Sequence, residues 1–119
     1  VPTRQADSPL DTPDVDDDWL GGPGPGQAMR DAPLGKGWLI DRLGRDFSLL
    51  TFGPAPEVGP EVEAIGIGDE GLVRERYDAR PGTAYLVRPD RYVAARWRTV
   101  DAAGVARAVA RATGKEERC

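Results

Sequence analysis

The most regular hydrophobic pattern in the chain spans residues 83–98, which read TAYLVRPDRYVAARWR. Two runs rich in aromatic and branched side chains, residues 83–87 and 92–97, flank a Pro-Asp pair that suits a tight reversal. The first run is apolar from Ala84 to Val87, as in a strand covered on both faces, whereas the second run alternates. The residues expected to share one face of the second run are Val93, Ala95 and Trp97. The pattern predicts a β-hairpin whose first strand is central and whose second strand lies nearer a sheet edge.

Three shorter segments before the hairpin also have the composition of strands. Residues 37–40 (GWLI) are a short candidate, followed by a single turn over residues 41–44. Residues 47–52 (FSLLTF) are apolar on both faces apart from two small hydroxyl side chains, so we expect a central strand there. Residues 61–67 (EVEAIGI) alternate between polar and apolar, as a strand with one buried face does.

Helical spacing occurs twice. Residues 71–77 are a short helix candidate, and residues 102–113 are a longer one, with Asp101 as N-cap and Gly114 as the stop. The apolar residues at helical spacing in the longer segment are Val105, Ala108, Val109 and Ala112. We expect this face to pack on the sheet. The order of elements predicts an α/β fold with a mixed sheet and flanking helices. The final hairpin and helix resemble the back half of a thioredoxin-like fold, here without a CxxC motif.

The N-terminal region differs in composition from the rest of the chain. Residues 1–34 are rich in Pro and Gly, contain an acidic run (DVDDD), and look too polar to join a core. We expect a linker, or an irregular arm wrapped over a neighbouring surface, with Trp19 and Leu20 as an apolar hook. The acids lack the spacing of a calcium-binding loop. The predicted division is an arm or linker over 1–34, a thioredoxin-like domain over 35–114 and a polar tail over 115–119.

Charge and composition exclude several classes of function. The net charge of -4 and a pI near 4.8 argue against nucleic acid as a partner. With no His and only Cys119, on the tail, the chain cannot form an internal disulfide, a CxxC pair, a Cys/His zinc site or a His-assisted catalytic site. No apolar run approaches the roughly 18 to 20 residues of a membrane span, and no secretory signal is visible. We expect a cytoplasmic protein without a membrane partner, and the missing initial Met suggests a start inside a longer reading frame.

One segment matches the dinucleotide-binding pattern GxGxxG, between a predicted strand and a predicted helix, with its glycines at 66, 68 and 71. Its intervening acids, Asp69 and Glu70, would place negative charge beside a pyrophosphate that needs bare backbone N–H groups. The helix is also short, and the next strand enters a hairpin instead of a parallel crossover. We therefore assign no dinucleotide site here. We interpret the carboxylate pairs Asp69 with Glu70 and Glu61 with Glu63 as solvated surface acids.

Arginines crowd the hairpin and are the remaining candidates for binding: Arg88, Arg91, Arg96 and Arg98. They could hold an anion or an acidic partner surface, but such residues more often pair with local acids, here Asp90 and Asp101. The large aromatic residues, for which we expect core and sheet-face packing, are Trp38, Tyr85, Tyr92 and Trp97. The residues themselves thus give no catalytic, cofactor-binding or metal-binding assignment.

Three stretches carry a family resemblance: residues 31–34 (DAPL) with 37–53 (GWLIDRLGRDFSLLTFG), residues 77–82 (YDARPG), and residues 85–98 (YLVRPDRYVAARWR). Together they resemble the C-terminal domain of FAD-dependent aromatic-ring hydroxylases of the phenol hydroxylase and 3-(3-hydroxyphenyl)propionate hydroxylase type. The resemblance implies a thioredoxin-like domain that has lost the redox cysteines and supports structure and subunit contacts. It also implies that FAD, NAD(P)H and the phenolic substrate are bound by preceding domains. Arg91 stands where the family turn often has Gly or Gln.

We therefore expect a non-catalytic domain of a flavin-dependent aromatic monooxygenase, either as a fragment or as a separately encoded remnant. Its expected partners are the preceding flavin and substrate domains or a second subunit, and a homodimer is left open. Three other classes remain. A free-standing adaptor with a redox-inactive thioredoxin-like fold would expose an apolar patch around Trp97, Tyr92 or Trp19. A thiol oxidoreductase would need a Cys in the loop after Phe52, where the chain reads GPAP. A small dinucleotide-binding protein would use the glycines at 66 and 68.

Overall fold

A four-stranded mixed sheet forms the centre of the fold. The computed structural model describes residues 11–14, 16–68 and 71–114. In chain order the elements are β1 (Pro33–Leu34), β2 (Gly37–Trp38), a 3-10 helix (Leu39–Arg42), β3 (Phe47–Thr51), β4 (Val62–Gly66), α1 (Gly71–Arg76), β5 (Ala84–Val87), β6 (Val93–Trp97) and α2 (Ala102–Ala112). The two short strands β1 and β2 pair with each other, apart from the main sheet.

The main sheet has the strand order β4-β3-β5-β6. β3 runs parallel to β4 and antiparallel to β5, and β5 and β6 form the predicted hairpin. The α/β class and the central positions of β3 and β5 are therefore confirmed, and the arrangement is compatible with a thioredoxin-like fold. One connection is unusual. The parallel crossover from β3 to β4, residues 52–61, contains no helix, although such crossovers usually do.

A separate apolar cluster covers each face of the sheet. On one face, α2 packs over the strands through a cluster that includes Phe47, Leu49, Val62, Leu86, Trp97, Val105, Ala108 and Val109. On the other face, α1, the 3-10 helix and the N-terminal arm contribute to a cluster that includes Leu39, Leu50, Ile65, Val73, Tyr77, Tyr85 and Val93. Because both faces are covered, β3 and β5 are buried at every position, which explains their nearly continuous apolar sequences.

A β-bulge in β6 changes which of its residues share a face. The register of the β5–β6 pairing shifts between Ala95 and Val93, which leaves Ala94 as an extra residue. Val93 therefore joins the cluster opposite α2, while Ala94 and Ala95 both lie on the α2 side. The predicted grouping of Val93 with Ala95 and Trp97 is wrong, since strict alternation fails at the extra residue.

Two predictions about burial also need correction. Residues 1–34 were expected not to join a core, but Ala32 and Leu34 are buried in the cluster opposite α2. Trp38, expected in the core, is 50% exposed. β2 is only two residues long, and the chain then enters the 3-10 helix, so Leu39 takes the buried position instead.

The longer helix, α2, follows its predicted signals. Asp101 caps α2, because its Oδ1 accepts the N–H of Gly104 at 2.7 Å, and the chain turns away at Gly114 with a φ of 75°. Val105, Ala108 and Val109 face the sheet as their spacing predicts. In the described part of the chain, no helix has the length and apolar character needed to cross a bilayer.

Trp97 provides the clearest test of the α2 packing. Its ring is only 7% exposed and lies in the cluster beneath α2, so Trp97→Ala should lower the free energy of unfolding by roughly 3–5 kcal/mol. Urea denaturation followed by circular dichroism measures the change. Trp38→Ala is the matched control, because that ring is half exposed, and its effect should be clearly smaller. Equal effects of the two substitutions would contradict the packing described above.

Candidate functional site: an acidic arm on an arginine edge

The N-terminal arm covers the outer edge of β6. Backbone hydrogen bonds join the two at three places: the N–H of Gly26 donates to the carbonyl of Val93 at 2.8 Å, the N–H of Val93 to Gln27 at 2.8 Å, and the N–H of Thr12 to Ala94 at 2.9 Å. Such pairing protects an edge strand from joining other chains. We call residues 11–29, of which Val15 is not described, the acidic arm. We call Arg88, Arg96 and Arg98 the arginine edge.

Arg96 is the most enclosed cation of the arginine edge, with only 8% of its surface exposed. Its Nε and Nη2 atoms donate to the two carboxylate oxygens of Asp14 at 3.0 and 2.9 Å, in a bidentate pair. Its Nη1 atom donates to the carbonyls of Gly21 and Pro23 at 3.0 and 3.4 Å. Burial by itself lowers the pKa of Arg96, but hydrogen bonds with Asp14 and Tyr85 outweigh it and hold the pKa above its ordinary value.

Arg98 ties the arm to the loop after α1. Its Nε atom donates to Asp18 at 3.0 Å and its Nη2 atom to Asp78 at 2.9 Å, while its backbone N–H donates to Asp16 at 2.9 Å. Asp78, which has a positive φ of 48°, also accepts the N–H of Leu20 at 2.7 Å. Burial alone would raise the pKa of Asp78, but the hydrogen bonds from Leu20 and Arg98 hold it below its ordinary value.

Trp19 is the apolar anchor of the arm. The guanidinium carbons of Arg96 and Arg98 lie 4.0 and 3.7 Å from the centre of its ring, and the ring meets Tyr85 edge to face at 5.7 Å. Cations at these distances are attracted by the aromatic face. Trp19 is thus an apolar anchor, as predicted. Leu20 is not, because its side chain is 87% exposed and is not packed against the described residues.

A tyrosine pair lies beneath the arm. The hydroxyl of Tyr85 donates to the carbonyl of Tyr77, and the hydroxyl of Tyr77 donates to the carbonyl of Arg30. Burial raises the pKa of Tyr85 to about 12 and raises that of Tyr77 as well, so both keep their protons. Gly22 passes directly over this pair with a φ of 79°, and a Cβ there would lie 2.8 Å from the Tyr77 carbonyl oxygen. Only glycine fits at that position.

Arg88 bridges the arm and the hairpin turn. It pairs with Asp90 at 2.6 Å, as predicted, and with Asp11 at 3.3 Å. Asp11 is buried, and that burial raises the pKa of its carboxyl against the opposing effect of Arg88. The predicted use of Asp101 as an arginine partner is wrong, because its carboxylate caps α2. Arg91, at a positive φ of 72°, instead donates to the carbonyl of Gly44 at 2.9 Å.

Sequence reasoning missed the acids of the arm as partners of the arginines, although a signal was present. Asp14, Asp16 and Asp18 recur at every second position, and so do Arg96 and Arg98. Two extended segments with the same period can align opposite charges side by side. The two segments are about 80 residues apart in sequence, so the sequence predicts an arm that could wrap over a neighbouring surface but does not identify the arginines as its partners.

Among the described residues, the remaining motif candidates make none of the contacts of the arginine edge given above. Gly66 ends β4 and Gly71 begins α1, while Asp69, Glu70 and Cys119 lie outside the described residues. The side chains of Glu61 and Glu63 are exposed, as expected for surface acids. Over the ranges that the structure describes, no group of three or more acidic, His or Cys side chains could hold a metal ion.

A second surface feature lies on the opposite face of the sheet. A cavity of about 420 Å³ separates α2 from the end of the β3–β4 connection, and we call it the α2 groove. Its apolar lining includes Phe47, Val58, Val62, Val105 and Val109, and its acidic lining residues are Glu57 and Glu61.

Comparison with known proteins gives a match in structure only. No protein-family model matches the chain, and no curated protein sequence does. The flavin-dependent monooxygenase PieE, solved with FAD and substrate, matches with a TM-score of 0.67 and 26% identity over 89% of this chain. The chain shares the fold of part of a flavin-dependent monooxygenase. This confirms the resemblance predicted from the sequence.

A second solved protein has the same fold. The rebeccamycin biosynthetic enzyme RebC, solved with reduced flavin, matches with a TM-score of 0.67 and 24% identity over 91% of this chain. The present chain covers only 24% of PieE and 22% of RebC. The monooxygenase-like fold described here therefore corresponds to less than a quarter of either protein.

Asp14 tests whether the arm stabilises the fold. Asp14→Ala leaves the buried guanidinium of Arg96 without its carboxylate and should lower the free energy of unfolding by about 1–3 kcal/mol. Asp17, which is exposed on the same arm, supplies the control, and Asp17→Ala should stay within about 0.5 kcal/mol of the unmodified chain. Urea denaturation gives both values. An Asp14 variant as stable as the control would mean that the ion pair between Asp14 and Arg96 contributes nothing to stability.

Asp78 tests how the attachment of the acidic arm to the arginine edge depends on pH. Because its folded-state pKa lies below the ordinary 3.8, its contribution is complete above that value and is lost as the pH falls through the lowered pKa. The raised pKa of Asp11 acts in the opposite sense, since protonating that carboxyl relieves a cost of burial. Asp78→Asn keeps a side chain that tolerates positive φ, so the variant should lose less melting temperature than the unmodified chain between about pH 5 and pH 2. Identical pH profiles would contradict the assignment.

Proposed function

We propose that the chain is a non-catalytic C-terminal domain of a FAD- and NAD(P)H-dependent aromatic-ring monooxygenase, present as part of a longer polypeptide or as a separately encoded remnant. The observation that carries the proposal is the match to PieE, which extends over 89% of this chain but only 24% of that enzyme. In this proposal FAD, NAD(P)H and the aromatic substrate bind to the domains that precede the chain. A cytoplasmic location follows from the same proposal.

The contacts of the polar side chains support a structural role. The guanidiniums of Arg96 and Arg98 are engaged by the arm, and the hydroxyls of Tyr77 and Tyr85 donate to backbone carbonyls. A group already held in this way cannot bind a substrate without breaking those contacts. The composition supports the same role, because the chain has no His and its single Cys is the last residue.

The arm suggests how the domain is attached to its partner domains. In a longer polypeptide the chain would enter along the arginine edge, and the ion pairs of Asp14 and Asp18 would fix that entry path. Rigid entry of a connecting segment restricts how far two domains can move apart. The partners in this proposal are the preceding flavin and substrate domains or a second subunit, with no role for nucleic acid.

The α2 groove favours a second candidate function, a free-standing interaction adaptor with a redox-inactive thioredoxin-like fold. An apolar groove of this kind is a feature of binding modules. The adaptor and the domain of a longer polypeptide differ in the size of the native polypeptide, because a free-standing adaptor would be found near 12.8 kDa, the mass of this chain.

An immunoblot of extract from the source cells, with antibodies raised against the purified chain, separates a domain of a longer polypeptide from a separately encoded protein, whether adaptor or remnant. A domain that covers 22–24% of its relatives should be detected in a polypeptide roughly four times its own 12.8 kDa. The purified chain serves as the size standard. A single band at the position of that standard would exclude the domain of a longer enzyme and favour the adaptor or the remnant.

Calorimetry with FAD and with NADPH tests the non-catalytic part of the proposal. The isolated chain should give no binding heat with either cofactor, because the polar groups described above are already engaged. Binding at micromolar concentration would contradict the proposal. In that case, substituting Gly66 and Gly68 would show whether the GxGxxG segment is responsible.

A further inference from the structure

The β3–β4 crossover leaves part of the sheet uncovered. Parallel neighbours are normally joined by a helix that packs on one face of the sheet. Here the connection holds three prolines, Pro54, Pro56 and Pro60, which cannot continue a helix, and it is irregular throughout. The layer beside α2 therefore lacks the helix that the strand order calls for.

The uncovered surface lies beside α2. Ala64 pairs with Leu49 and shares its face, yet Ala64 is exposed while Leu49 is fully buried. Gly66, two residues further along β4, is also exposed. The outermost strand thus presents two small, exposed residues on the α2 side of the sheet, and the α2 groove lies at the start of that strand, where Val62 lines it.

The side of α2 that borders the groove carries small side chains, which would let another helix pack closely against it. The helix residues lining the groove include Ala102, Ala106 and Ala110, and the first two are exposed. A surface helix normally carries charged side chains on its solvent face. Small side chains there allow another helix to approach to the 8–10 Å that separates packed helices.

The charge of the groove specifies the occupant further. Among the residues that the structure describes, the two charged ones that line the groove, Glu57 and Glu61, are both acids and both are exposed. An occupant that carried acids beside them would be repelled, whereas Lys or Arg on its flank would be attracted. The chain as a whole has a net charge of -4, which adds to this preference.

We infer that the α2 groove is the docking site of an amphipathic α-helix with a basic flank, which supplies the layer that the crossover lacks. Its apolar face packs against Phe47, Val62 and Val109, and its basic flank meets Glu57 and Glu61. The helix comes from the neighbouring flavin portion of the polypeptide. That choice of source rests on the proposed function, whereas the chemistry of the occupant rests on the groove alone.

Two matched synthetic peptides test the inference. Each is about 18 residues long so that it is helical in water, each has the same Leu/Ala face, and the flank carries Lys in one and Glu in the other. Fluorescein anisotropy against the full 119-residue chain should show binding of the Lys peptide that is at least about tenfold tighter than that of the Glu peptide. Equal affinity, or no binding of either peptide at millimolar chain, would overturn the inference.

Variants of the chain locate the binding. Ala106→Trp fills the groove from an exposed position and should lower the affinity for the Lys peptide by about tenfold or more. Ala103 is exposed on α2 but lies outside the lining, so Ala103→Trp should leave that affinity unchanged. Glu57→Lys with Glu61→Lys should reverse the preference between the peptides, and Glu75→Lys on α1 should leave it unchanged. An affinity for the Lys peptide that is unchanged by Ala106→Trp would overturn the inference.

Light scattering on the unmodified chain separates a helix from a second copy as the occupant. A monomeric mass is expected. A dimer that Ala106→Trp converts to monomer would overturn the inference in favour of self-association. Failure of the peptide tests leaves the immunoblot result unchanged, so the docking site and the proposed function can fail separately.

Discussion

The structure depends on a guanidinium that has been removed from water. Arg96 extends from β6 and is 8% exposed, in a position where an unpaired cation would cost several kcal/mol. Besides Tyr85 of β5, the compensating partners come from the arm, namely the carboxylate of Asp14 and the carbonyls of Gly21 and Pro23. β6 can therefore be buried at every position only if the arm lies over it. The described part of the arm is thus a structural part of the sheet edge.

This dependence explains what the sequence could and could not predict. The hairpin, α2 and its cap follow from neighbouring residues, so periodicity and capping signals located them. The ion pair between Asp14 and Arg96 joins residues that are 82 apart in the sequence. No pattern among neighbouring residues shows which distant side chains will pair. The bulge at Ala94 was missed for a related reason, because only the pairing with β5 reveals an extra residue. The resemblance of three stretches to flavin-dependent hydroxylases predicted the fold, but it predicted none of the contacts that the arm makes.

The crossover after β3 affects the surface beside α2. A thiol oxidoreductase of this fold would need a reactive Cys in that loop, where the chain has GPAP. The prolines of the loop also prevent a helix, and its residues Glu57 and Val58 line the α2 groove. The same irregular loop therefore lacks that Cys and forms one wall of the groove in which we propose that a helix docks.

In the proposed function, the arm along β6 and the helix docked in the α2 groove would together attach the domain. A domain tethered through its arm would meet its neighbour at an effective concentration of about 1 mM, so a groove that binds a free helix with a Kd of about 100 μM would still be occupied most of the time. Weak apolar contacts with a groove partly lined by alanine would therefore suffice. Specificity then comes mainly from Glu57 and Glu61, because charges that repel a wrong partner discriminate even where the apolar contact is weak.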